Sequence, residues 1–83
     1  MNSAMIEKLL RDELNDHIIC LRGWLNNDYI LDDTPAEQLV NDTTNFMLGA
    51  TNFAVKLGLD EETVNAIYAE YRDKALELYD NWD

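Results

Sequence analysis

The sequence predicts an all-α fold: one three-helix antiparallel bundle over residues 1–83, with helices at about 4–26, 35–57 and 61–82. Two observations carry that prediction. Apolar residues recur at three- and four-residue spacing through three long segments, the period that lines one side of an α-helix. Helix stop and start signals separate the segments, and the second separator is too short for anything but an antiparallel hairpin. A chain of 83 residues holds one domain, with a core that buries roughly 60 to 65% of the unfolded surface.

The first helix is written by Met5, Ile6, Leu9, Leu10, Leu14, Ile18, Leu21, Trp24 and Leu25. A connector follows whose Tyr29, Ile30 and Leu31 are too apolar for a free tip and are expected to tuck against the core. Thr34-Pro35-Ala36-Glu37 then reads as a capping box: a Thr N-cap, Pro at the first helical position, and Glu three residues after the cap. The second stripe runs through Leu39, Thr43, Phe46, Met47, Ala50, Phe53, Ala54 and Leu57. Gly58 ends it by supplying a left-handed residue, and Asp60 caps the third helix, with Glu61 and Glu62 where the helix dipole favours negative charge. Val64, Ile67, Tyr68, Tyr71, Ala75, Leu78, Tyr79 and Trp82 carry the last stripe. The aromatic ends, Trp24, Tyr79 and Trp82, are surfaces that a second copy could complete as a homodimer.

Charge narrows the function classes. Seventeen acids against six bases leave a formal charge of −11, and residues 59–83 alone hold eight acids and two bases. Phosphate contacts dominate nucleic-acid affinity, and six scattered bases make no basic stripe, so direct nucleic-acid binding is not expected. Anionic membrane surfaces are disfavoured for the same reason. There is no stretch of about 18 apolar residues and no basic run before an apolar core, so neither a membrane span nor a signal peptide is expected. A membrane protein's soluble domain stays open as a partner. Cys20 is the single cysteine, which makes the cytoplasm the expected compartment.

Candidate chemistry is sparse. His17 lies in the apolar arc of the first helix with Glu13 one turn earlier, a spacing that suits an acid–base dyad or, more commonly, a half-buried histidine satisfied by its neighbour. Cys20 has no group in view that would activate it. Asn26, Asp28, Asp32, Thr34 and Glu37 fall at calcium-loop spacing, but Leu31 stands where the loop needs glycine. Asp12, Glu13 and Asp16 on the first helix could face Asp42 and Asn45 on the second and hold Mg²⁺ through oxygen.

Those residues carry a resemblance. Leu10-Arg-Asp-Glu-Leu-Asn-Asp-His-Ile18 is similar to the EExxE helix of the all-α nucleoside triphosphate pyrophosphohydrolases, the MazG-like proteins, and Asp42-Thr-Thr-Asn45 resembles their ExxD helix. Asn45 stands where the family has an acid. The resemblance implies that Asp12, Glu13, Asp16 and Asp42 bind Mg²⁺ and help water attack a triphosphate, releasing pyrophosphate.

The other reading needs no catalytic residue and no cofactor. It is a small acidic protein that regulates or inhibits a protein partner with a basic surface, through Trp24, Asp73, Glu77, Tyr79, Asp80 and Trp82. In class it resembles the inhibitors that bacteriophages make: anti-defence proteins, nucleic-acid mimics and lysis regulators. Asp80 and Asp83 oppose the dipole at the end of the third helix, which favours a surface shaped for a partner.

Overall fold

The computed structural model describes residues 2–26 and 35–81. They form three helices, α1 (Ser3–Leu25), α2 (Ala36–Lys56) and α3 (Glu61–Asp80), each packed against the other two. The bundle measures 41 × 19 × 15 Å. No described helix is long and apolar enough to cross a membrane.

Local chemistry sets each boundary. Asn2 is extended, and its side chain accepts a 2.8 Å hydrogen bond from the Met5 N–H, satisfying one of the donors that a helix start leaves free. At the other end of α1 the Asn26 N–H donates to the Arg22 carbonyl. The start of α2 differs from the capping-box reading. Pro35 is itself the N-cap, extended at φ −61° and ψ 146°, with no side-chain cap bond, and its carbonyl accepts from the Gln38 and Leu39 N–H groups. The helix therefore begins one residue later than the motif implies. Tyr29, Ile30, Leu31 and Thr34 lie outside the described residues, as do Asp28 and Asp32 of the calcium-loop spacing.

The α2–α3 turn follows the sequence closely. Gly58 sits at φ 112°, its N–H donates to the Val55 carbonyl, and the Leu59 N–H reaches back to Ala54. That pair of bonds is a Schellman closure, and Leu59 beyond it is buried in the core, which anchors the turn. Asp60 then accepts from the Thr63 N–H at 3.0 Å and opens α3.

Leu14, Leu21, Met47 and Ile67 are the largest side chains at the centre of the core. Two buried polar residues join them, and neither reaches across to another helix. Thr43 donates its hydroxyl to the Leu39 carbonyl and Thr51 to the Leu48 carbonyl, each at 2.8 Å. No buried side-chain nitrogen or oxygen among the described residues lacks a partner.

The apolar stripes prove wider than the core. Leu9 is 50% exposed, and Phe46, Phe53 and Leu57 of α2 are 57%, 62% and 44% exposed. Two neighbours cover only part of each helix in a three-helix bundle. The edge of the α2 stripe that turns past α1 is only partly covered.

Candidate functional site

The carboxylates proposed for Mg²⁺ are dispersed by helix geometry. Asp12 and Glu13 are consecutive, so they project about 100° apart around α1. Asp12 points outward and holds Lys8 Nζ at 2.8 Å, which raises the lysine pKa. Glu13 turns toward α2, 3.3 Å from His17 Nε2, and borders a groove with Ala50 and Phe53. Asp42 lies on α2 eight residues from Ala50, about 12 Å along the axis at 1.5 Å per residue. Asp16 and Asn45 are both exposed. Among the described residues no three of His, Cys, Asp and Glu are grouped so that they could hold a metal ion, and Asp12, Glu13, Asp16 and Asp42 form no such set.

The α1–α2 face is where side chains gather, and most of them are apolar. A groove of about 490 Å³ is lined by Ile6, Leu9, Glu13, Ala50, Phe53 and Leu57, among others. His17 extends this face, stacking its ring on Phe46 with centroids 5.8 Å apart and planes 12° apart. The imidazole is 27% exposed and wedged between an aromatic ring and a carboxylate, so its surroundings describe a packed side chain. Cys20 is exposed.

The other concentration of charge is the outer ridge of α3. Asp73, Glu77 and Asp80 follow at i, i+4 and i+7, share one side of the helix and are all exposed. Leu76 lies among them, 43% exposed, one turn from both Asp73 and Asp80. Both bases of α3 have partners. Lys74 lies 3.7 Å from Glu70 and 4.4 Å from the centre of the Tyr71 ring, and Arg72 lies over the Tyr68 ring and 3.5 Å from Asp73. Arg11 of α1 bridges to Glu70 at 3.1 Å, while its bond to Glu7 on α1 is the main cause of its raised pKa. Glu77 and Asp80 have no ion pair among the described residues.

The remaining residues of the expected interaction set separate. Trp24 packs half-buried against the core. Tyr79, 37% exposed, is about 100° around the helix from its neighbour Asp80. Trp82 lies outside the described residues. Phe46, Phe53, Leu57 and Leu9 were read as core and are instead the exposed apolar face. The signal that separates them from true core is the uncovered edge of a stripe too wide for two neighbours. Compared with known protein families, with curated proteins and with solved structures, the chain matches none.

Proposed function

We propose that this chain is a non-catalytic protein of the cytoplasm that binds and regulates, or inhibits, a protein partner with a basic surface, the α3 ridge being the contact. The observation that supports this most is the ridge itself: Asp73, Glu77 and Asp80 aligned and exposed around an apolar Leu76, with Lys74 turned to Glu70 and Tyr71 and Arg72 reaching only Asp73. Exposed acids on one side of a small protein, here with Glu77 and Asp80 in no ion pair among the described residues, steer a basic partner and reject an acidic one. Leu76 adds the apolar anchor that fixes a docked pose. Small acidic inhibitors of the phage kind work from such surfaces, as nucleic-acid mimics, anti-defence proteins or lysis regulators.

The test is capture from host lysate with wild type and with the triple variant Asp73→Lys, Glu77→Lys, Asp80→Lys. Wild type should recover a stoichiometric basic protein that salt releases, and the variant should lose it. Repeated crosslinked captures that recover nothing, or equal recovery by the variant, would overturn the reading. So would the activity that the MazG-like resemblance implies: pyrophosphate release from nucleotides with Mg²⁺, abolished by Glu13→Ala.

A further inference from the structure

The uncovered face of α2 differs from the rest of the molecule in charge as well as in exposure. From Thr43 to Val55 the chain runs thirteen residues without an Asp, Glu, Lys, Arg or His, in a protein of which 28% is charged. Depletion of charge with enrichment of aromatics is the composition of an interface core. Phe46 and Phe53 supply the aromatics and are more than half exposed.

Gly49 lies between them. It is in mid-helix, it is exposed, and a Cβ added there would meet nothing within 4 Å. Nothing among the described residues accounts for it, although glycine is the poorest helix former after proline. A glycine on an exposed helix face does allow another backbone to come close.

The charges that bound the run complete the pattern. Asp42, Gly49 and Lys56 are seven residues apart and fall in one line along α2. Neither Asp42 nor Lys56 has an ion pair among the described residues. The line reads negative, neutral, positive, so it is complementary to its own reverse.

We propose that the chain forms a homodimer through α2, two copies crossing antiparallel about a two-fold axis near Gly49, with Phe46 of each against Phe53 of the other and Asp42 of each beside Lys56 of the other. Charge selects this occupant. Two molecules of −11 repel through most of their surface, and along α2 they meet across a run that holds no acid, with Glu13 of α1 at its edge, 3.3 Å from His17 Nε2. A basic partner finds no acid between Asp42 and Lys56 and is drawn to α3 instead. The size is sufficient for a reversible dimer. A strip about 31 Å long and two helices, roughly 20 Å, wide buries on the order of 600 Å² per copy, near the lower bound for specific interfaces. The dimer leaves both α3 ridges facing outward.

Sedimentation equilibrium of the purified chain from about 10 to about 500 µM reads the proposal without any other protein present, so it succeeds or fails independently of the α3 reading. The mass should rise from 9.6 kDa toward twice that value. Phe53→Asp should stay monomeric with an unchanged helical spectrum, because the side chain it alters is exposed. Asp42→Lys and Lys56→Asp should each weaken association about tenfold at low salt, two like-charge pairs replacing two attractive ones, and the double variant should recover to within about twofold of wild type. A wild type that remains at 9.6 kDa throughout would overturn the dimer and assign the face to a different protein. Unweakened association of Phe53→Asp would place the interface elsewhere, and a double variant as weak as the singles would reject the antiparallel register.

Discussion

Two glycines, nine residues apart, should respond to the same substitution in opposite directions. Gly49 lies in α2 with a right-handed backbone and open space where a Cβ would stand, whereas Gly58 closes the same helix at φ 112°. Gly49→Ala adds no clash and removes the excess backbone entropy of glycine from a helix interior, a gain of about 1 kcal/mol. Gly58→Ala also meets no neighbouring atom, but it places a Cβ on a backbone that L-residues avoid, a loss of about 1 to 2 kcal/mol. For a domain of this size each kcal/mol moves the melting temperature by roughly 4 to 8 °C, so the two variants should lie about 8 °C or more apart. Circular dichroism melts at low micromolar protein, where the chain is monomeric, read the difference directly. A Gly49→Ala variant that melts at or below wild type would refute the claim that this position is open. A Gly58→Ala variant that melts above wild type would refute the left-handed turn. Raising the concentration adds a further reading: the gain from Gly49→Ala should shrink as the methyl group enters the space where the second copy packs.

Leu9 and Leu10 adjoin in sequence and carry equal weight in the apolar pattern, yet one is 50% exposed and the other 5%. Leu10→Ala should cost about 2 to 5 kcal/mol in chemical denaturation, and Leu9→Ala about 0.5 kcal/mol or less at low concentration. Salt should stabilise the fold, because screening weakens the self-repulsion of a chain at −11. The melting temperature should therefore climb between about 10 and about 300 mM NaCl, and a flat profile would mean that the acids are spaced too widely to matter.

Much of the architecture was legible because it rests on local signals. Gly58, Leu59 and Asp60 encode a stop, an anchor and a start within three residues, and each acts through bonds to its immediate neighbours. The capping box at Thr34 was less informative, since Pro35 satisfies the N-cap geometry with its own extended backbone and shifts the start of α2. The width of the stripes was legible too, but not how much of that width the fold would cover. Phe46 and Met47 are neighbours of similar apolar character, and only the placement of the other two helices decides that one is 57% exposed and the other 0%. The carboxylates show the same limit from another direction. Spacing within α1 says which acids share a turn, but whether Asp42 stands opposite Glu13 depends on how far α2 slides along α1. The core residues fix that register: Ala50 and Phe53 are set beside Glu13, and Asp42 lies more than two turns away.

The two buried threonines have a consequence for how the core tolerates change. Each hydroxyl is satisfied by its own helix, so neither threonine dictates how one helix must rotate against the next, and the Arg11–Glu70 bridge between α1 and α3 lies at the part-exposed rim. Shape alone selects the native arrangement there, and shape is a forgiving criterion when total volume is preserved. A combinatorial library that shuffles Leu, Ile, Met and Val among the interior positions should therefore yield mostly helical, cooperatively folding proteins. Defects in such a library should appear as broadened methyl resonances rather than as unfolded chains, and sequence drift in the interior should proceed with little resistance.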